Sequence, residues 1–337
     1  MKILVAGGAG YVGSALVPEL IALGNKVDVI DLFWFGNHLP KETGIVNKDI
    51  FHVEASDVKG YDVVIFLAGL SNDPMAEFSP SMNFISNGAA PAYLAYIAKN
   101  AGVKRFIYAG SCSVYGYTVD ELNTEESPTI SLYPYGISKL QGERAVMQLA
   151  GDGFSAITLR QGTVCGYSPR MRLDLVVNAM FKSSLVFKRI IVNNPFIWRP
   201  VLAIKDAVQA YVKAINLDQN ISGIFNVASG NFTIAEIAET VKNKIEEEIP
   251  KELIIDTKNI DDKRNYRVSI QKAINILKFK PVHTIESIVQ DLFDNLEKFN
   301  DLDNPNYYNI EVFKQLEYES SINWSKRTTR FRRTEEV

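Results

Sequence analysis

The chain is poor in the residues that build disulfide scaffolds and metal sites: its 337 residues include only 2 cysteines and 3 histidines. The two cysteines, Cys112 and Cys165, argue against a disulfide framework and for a reducing compartment, and no metal-ligand spacing is present. A long apolar run is also missing. No window approaches the roughly 20 apolar residues that span a bilayer. The opening Met1-Lys2-Ile3-Leu4-Val5-Ala6 has neither the apolar core nor the small-residue cleavage site of a signal peptide. Excess charge of one sign is missing too, with 36 Lys and Arg against 39 Asp and Glu. That balance gives no electrostatic reason to expect nucleic acid, and the basic run at 326–333 is too short to change it. The expectation is a cytoplasmic protein whose partners are small molecules, with no metal, membrane or nucleic acid.

What is present is apolar pattern. With 47% apolar residues, the chain can bury one large core or two joined lobes. Short apolar runs at 3–6, 27–31, 63–68, 106–109 and 155–160 alternate with helical patterns at 11–23, 89–101, 134–149, 203–215 and 233–246. This βαβ rhythm predicts an α/β, Rossmann-type doubly wound parallel sheet with helices on both faces. A further helix is expected at 173–181. Pro18 lies inside the first helical pattern, where it is expected to cost about 3 kcal/mol and bend the helix. The less regular second half predicts a smaller C-terminal substrate-binding lobe over the carboxyl edge of the sheet. We expect a dinucleotide-binding domain at 1–165 to which later segments return, a mainly substrate-binding lobe at 166–300, and a partly ordered tail at 301–337, where apolar periodicity fades.

Gly7-Gly8-Ala9-Gly10-Tyr11-Val12-Gly13 follows the first strand and opens the first helix. Gly7, Gly10 and Gly13 allow the backbone to approach a pyrophosphate and aim helix amides at it. The second strand delivers Asp31, placed to accept hydrogen bonds from the adenine ribose and to repel a 2′-phosphate, which favours NAD over NADP. An ordinary strand-end turn would also explain Asp31. Asp49 is placed to reach the adenine amino group, though alone it reads equally as a solvated turn residue.

Tyr135-Gly136-Ile137-Ser138-Lys139 sets a phenol and an ammonium one helical turn apart, so the cation can lower the phenol pKa and make the phenolate a usable base. Such pairs also arise by chance on exposed helix faces. The strand ending in Gly110-Ser111-Cys112-Ser113 puts hydroxyls at the carboxyl edge of the sheet, with Ser111 as orienting group. Cys112 reads as a small buried filler, since no histidine lies nearby in sequence to activate it.

Together these residues resemble the NAD-dependent sugar epimerase/dehydratase branch of the extended short-chain dehydrogenase/reductase family. The likeness spans about residues 1–300: the three glycines, Asp31, Asp49-Ile50, Leu67-Ala68-Gly69, Asn87, Val103-Lys104-Arg105-Phe106, the 111–116 loop, Tyr135/Lys139, residues 160–169, and Trp198-Arg199-Pro200 before Asp206. The resemblance implies that Tyr135 takes a proton from a sugar hydroxyl while hydride passes to nicotinamide C4. Ser111 would bind the same oxygen, and Lys139 the nicotinamide ribose. It further implies that Tyr11, Val12, Leu32, Ile50, Leu67, Ala68 and Gly69 line the NAD, with Asn87 fixing the loop beside it. Asn178, Arg199 and Arg264, the last within Asp262-Lys263-Arg264-Asn265, would hold the pyrophosphate of a nucleotide-activated sugar.

Departures from the family pattern bear on the reaction. The 4,6-dehydratases carry Asp-Glu after the Ser/Thr position, where this chain has Cys112-Ser113, so dehydration is disfavoured. Where many epimerases read Phe-Asn, this chain reads Gly162-Thr163, which makes Thr163 the substitute substrate contact. Ser71-Asn72-Asp73-Pro74 should face the sugar, with Asp73 either a second acid/base or a cap of the turn before Pro74. The 168–174 stretch resembles a subgroup associated with unusual nucleotide sugars of surface glycans. The expected activity is C4 epimerisation. A net 4-dehydrogenase or ketosugar reductase would use the same residues, and a non-catalytic NAD-binding regulator is the rival from another class. A homodimer pairing the helices at 89–101 and 134–149 is also implied by the resemblance.

Overall fold

The computed structural model describes residues 1–250, 252–260 and 264–317. Asp262, Lys263 and the basic run at 326–333 lie outside the described residues. The strands are β1 (Lys2–Ala6), β2 (Lys26–Asp31), β3 (Gly44–Asn47), β4 (Val63–Phe66), β5 (Arg105–Ser111), β6 (Tyr117–Asn123) and β7 (Ser155–Gln161). There follow β8 (Thr163–Cys165), β9 (Arg189–Asn193), β10 (Trp198–Ala203), β11 (Gly223–Val227), β12 (Gly230–Thr233), β13 (Ile254–Lys258) and β14 (Asn265–Val268). The helices are α1 (Tyr11–Ala22), α2 (Ala55–Val58), α3 (Asp73–Phe78), α4 (Pro80–Phe84), α5 (Ala90–Asn100), α6 (Pro134–Gln148), α7 (Val176–Phe187), α8 (Ile204–Ile215), α9 (Ile234–Glu248) and α10 (Ile285–Asp294).

Seven strands form one sheet in the order β11-β7-β5-β4-β1-β2-β3, parallel throughout. All residues of β4 and β5 are buried, as strands covered on both faces must be, hence their near-continuous apolar sequence. On one face Leu16, Val17 and Leu20 of α1 and Ala207, Ala210 and Tyr211 of α8 close over the sheet. On the other, Leu94, Ala95 and Ala98 of α5 and Val146 of α6 do so. The strand order reverses between β1 and β4, opening a crevice at their carboxyl ends where doubly wound sheets bind ligands.

A second core forms the smaller lobe, joining Val177 and Phe181 of α7, Ile237 and Val241 of α9, and Ile288 and Leu292 of α10. The short sheets β12-β10-β8 and β13-β9 contribute to it, while β14 of the β14-β6 pair packs in a separate small cluster with Cys112, Val114 and Tyr115. The fold is therefore the expected one, with local differences. The strand expected at 63–68 ends at Phe66, because the amides of Leu67 and Ala68 both turn to the Ala6 carbonyl. The helix expected at 173–181 starts at Val176. Ahead of it residues 170–175 alternate, with Met171, Leu173 and Leu175 entering the second core and Arg170, Arg172 and Asp174 lining the cleft. That period of two belongs to extended chain. α1 runs on through Pro18, whose ring is half-buried beside the α1–α8 groove.

The stretch beyond residue 300 is packed at least as far as 317. Residues 309–317 are helical, Lys182 pairs with Asp303 at 2.9 Å, and Phe313 meets Trp34 edge-on with ring centroids 5.0 Å apart.

Arg105 pins the far end of the sheet to α8. It is fully buried, and its guanidinium donates to the carbonyls of Ala214, Ile215, Leu217 and Asp218 at 2.7–3.2 Å. Replacing it strands those acceptors, so Arg105→Ala is expected to lower unfolding free energy by at least ~3 kcal/mol in urea titration. A loss under 1 kcal/mol would show that water replaces the guanidinium without penalty.

Candidate active site

From Ala6 the chain turns through the glycine-rich loop into α1. Gly7 has φ +80, and a Cβ there would lie 2.4 Å from the Ala68 nitrogen; at Gly13 it would lie 2.3 Å from the Gly8 carbonyl oxygen. Neither position admits a side chain. The first turn of α1 carries no capping side chain, and Gly10, Tyr11, Val12 and Gly13 all line the cleft. Unpaired amides at an open helix N-terminus suit an anion, so these residues fit the diphosphate of a dinucleotide.

Asp31 ends β2 with both oxygens engaged: one takes the Ala9 amide at 2.9 Å, the other the Phe33 amide at 2.8 Å. Burial raises its pKa against these hydrogen bonds. Asp31 thus braces the glycine loop from the side where an adenine ribose would sit. Leu32 beside it is 37% exposed. Asp49 caps a short turn by accepting from the Phe51 amide at 2.8 Å, and Ile50 packs against the β4/α5 core.

β5 carries Ser111 to the sheet edge, where its hydroxyl lies 2.8 Å from that of Ser113 and stands beside the Tyr135 phenol in the cleft. α6 opens with Pro134 at its first position and presents Tyr135 and, one turn on, Lys139. The Lys139 ammonium donates to the Ala109 carbonyl at 3.1 Å and stands 6.0 Å from the Tyr135 ring centroid. Burial pushes Lys139 down to about 8. Burial also raises Tyr135, to about 12, with the neighbouring Ser111 hydroxyl opposing it and the Asp73 carboxylate adding to it. Burial thus opposes the charged form of both groups, and the Ser111 hydroxyl works the other way on the phenol.

Leu67, Gly69, Ser71, Asn72 and Asp73 form the wall facing Tyr135. Asn87 donates to the Leu70 carbonyl at 2.8 Å and so holds this wall from behind. Asn72 sits at φ 80, ψ 161, a region that favours glycine, and its side chain caps α3 through the Met75 amide. Capping thus falls to Asn72, while the Asp73 carboxylate pairs with Arg264 across the cleft. Arg199 donates to the Arg264 carbonyl, and Thr163 of β8 completes that side.

Asn178 is not brought to the cleft. It is fully buried; its carbonyl takes the Gly166 amide at 3.0 Å and its amide donates to the Arg172 carbonyl at 2.8 Å and the Tyr11 hydroxyl at 3.2 Å. With its polar atoms consumed, it braces the glycine loop. Phe35 and Asn309 go unnoticed in the sequence, and Arg170, Arg172 and Asp174 of the 168–174 stretch carry no assigned role there, yet all five line the cleft. Arg172 forks Asp174 with two bonds of 2.8 Å and donates to Ser71 at 2.6 Å. The alternating 170–175 pattern was the available signal; Asn309 had none.

A second groove runs along α1 and α8, but its charged lining is only Glu19 and Lys205. The chemistry converges in the cleft lined by the glycine loop, Ser111 and Tyr135. Among the described residues no helix is long and apolar enough to cross a membrane, and no cluster of three or more His, Cys, Asp or Glu is placed to hold a metal.

The doubly wound sheet and its glycine-lined crevice define a dinucleotide-binding α/β protein. The family model described as "NAD dependent epimerase/dehydratase family" matches residues 3–228. A UDP-glucose 4-epimerase of Corynebacterium glutamicum is 26% identical over 314 residues, 86% of this chain and 94% of that protein. UDP-glucuronic acid decarboxylase 6 of Arabidopsis thaliana is 27% identical over 295 residues, covering 83% and 84%. Of solved structures, MoeE5 in complex with UDP-glucose and NAD superposes with TM-score 0.78 at 23% identity, covering 89% of this chain and all of that one. UDP-glucuronic acid 4-epimerase from Bacillus cereus in complex with UDP-glucuronic acid and NAD gives 0.77 at 23%, with the same coverage. The chain belongs to the NAD-dependent epimerase/dehydratase family, and is an enzyme of the short-chain dehydrogenase/reductase type with NAD as its cofactor.

The depressed Lys139 value has a measurable consequence. The folded chain disfavours a charged Lys139, a penalty fully present below about pH 8 and lifted as pH rises toward the ordinary value of 10.5. Across that window wild type should gain stability over Lys139→Met by on the order of 3 kcal/mol in denaturant titrations. Parallel stability curves would contradict a buried, titrating lysine.

Proposed function

We propose that this enzyme is a nucleotide-sugar 4-epimerase acting on a UDP-sugar, and the observation that carries the reading is the convergence of Ser111, Tyr135 and Lys139 at the β5 edge, opposite the glycine loop. Bound NAD supplies the two-electron acceptor and donor. Tyr135 takes the proton of the sugar C4 hydroxyl and later returns it. Ser111 donates to the same oxygen, holding it against the phenol, and the Lys139 cation stabilises the phenolate once the cleft is filled and closed to water. Arg199 and Arg264 lie on the side where a substrate diphosphate would enter, so Arg264 exchanges Asp73 for that diphosphate when substrate binds. Ser71, Asn72 and Thr163 line the sugar's position.

Elimination of water has less support at the position family dehydratases use. Cys112 follows Ser111 but is fully buried, with its thiol on the Arg160 carbonyl at 3.1 Å and its pKa raised by burial. The names of the relatives, two of which are a UDP-glucose 4-epimerase and a UDP-glucuronic acid 4-epimerase, support a UDP-sugar and C4. A homodimer through α5 and α6, which pack side by side and leave Tyr96 56% exposed, fits this reading. Light scattering should give twice the chain mass of 37.7 kDa; the monomer mass would sink it.

The test is incubation with NAD and UDP-, dTDP-, GDP- and CDP-sugars, following NADH absorbance and product mass. An isomer of unchanged mass from a UDP-sugar without net NADH is expected; stoichiometric NADH with a product two hydrogens lighter would make the enzyme a dehydrogenase instead. Tyr135→Phe should lose about 10²–10⁴-fold in kcat with NAD binding kept, and retained turnover would exclude Tyr135 as the proton carrier.

A further inference from the structure

The segment joining β8 to α7 is fastened onto the start of α1. The Tyr11 hydroxyl donates to the Gly166 carbonyl at 2.6 Å, and the Ser168 hydroxyl donates to the Tyr11 carbonyl at 2.7 Å. Two guanidiniums emerge from this anchored stretch, Arg170 at 3% and Arg172 at 5% exposure. They differ in what answers their charge. Arg172 is matched by Asp174. Arg170 donates to the neutral Asn309 side chain at 2.6 Å and lies 3.7 Å from the Phe35 ring centroid, while its Nε is buried with no hydrogen-bond partner. Its acidic neighbours are already committed, Asp174 to Arg172 and Asp31 to the Ala9 and Phe33 amides. A guanidinium this deep without an anion is costly, and burial with the adjacent Arg172 cation holds its pKa down to about 9.

An anion answering Arg170 has a place in the cleft. Arg170 shares its lining with Gly10, Tyr11, Val12, Gly13 and Phe35, the half that holds the glycine loop, with Asp31 beside it. The other arginines, Arg199 and Arg264, serve the opposite half, against Tyr266 and Asp73. We propose that Arg170 binds the diphosphate of the dinucleotide, reaching it from the smaller lobe opposite the α1 amides, and that Asn309 and Phe35 position its guanidinium for that contact. A planar fork suits phosphate oxygens. The second Asn309 contact, its amide donating to Ser71 at 3.2 Å, and Phe313 lodged beside Trp34 and Phe35 make residues 309–317 the brace behind it. The inference rests on the glycine cleft being the NAD site.

The test is competitive binding to the full chain by ADP-ribose, which carries the diphosphate, and by adenosine, which does not. Arg170→Met should weaken ADP-ribose at least 10-fold and leave adenosine within 2-fold, with Arg170→Lys intermediate. Asn309→Ala should show the same selectivity at about 3-fold, which keeps the test open should Arg170→Met fail to fold. Equal losses for both probes, or no loss, would overturn the proposal, as would weakened UDP binding with ADP-ribose unaffected, which would assign Arg170 to the substrate. Failure of wild type to bind ADP-ribose at all would instead refute the cleft as the dinucleotide site.

Discussion

One tyrosine ties the two lobes together at the point where the cleft begins. Tyr11 opens α1, yet its hydroxyl and carbonyl are held by Gly166 and Ser168 of the other lobe, with Asn178 bonded to the same hydroxyl. Because Gly7 and Gly13 already fix the loop by contact with backbone alone, the anchor leaves the 167–175 crossing little freedom. The cleft is therefore the gap between two bodies joined at its floor, and Arg170, Arg172 and Asp174 are aimed by that joint.

The reacting groups sit on the opposite rim under a different constraint. Burial opposes charge on both Tyr135 and Lys139, which favours the neutral phenol. Asp73 adds to this, and its ion pair with Arg264 spans the rim. A diphosphate that drew Arg264 away would alter the field at Tyr135 as it bound, coupling recognition of the nucleotide to the state of the base.

Much of this was legible in sequence wherever one short segment carries the information. The parallel sheet follows from buried apolar runs, the loop from glycines at 7, 10 and 13, and the Ser111, Tyr135 and Lys139 set from the ends of β5 and the start of α6. What sequence left hidden depends on distant segments meeting. Asn178 has the composition of a ligand residue, but the lobe joint consumes its amide. Asn309 lies 139 positions from Arg170 in a stretch with weak periodicity, and nothing local marks it. The 170–175 alternation was masked by Val176, Val177, Met180 and Phe181, whose helical spacing extends backward on paper to Leu173.

The left-handed backbone at Asn72 has a further consequence. Glycine adopts that conformation freely, and any other residue holds it only while its surroundings insist, at about 1–3 kcal/mol. The wall opposite Tyr135 thus carries tension that glycine would release, giving a more forgiving fold and a looser wall. Position 72 is accordingly one where selection for thermal robustness and selection for a fixed sugar pose pull apart, glycine relieving the backbone at the loss of the cap on α3.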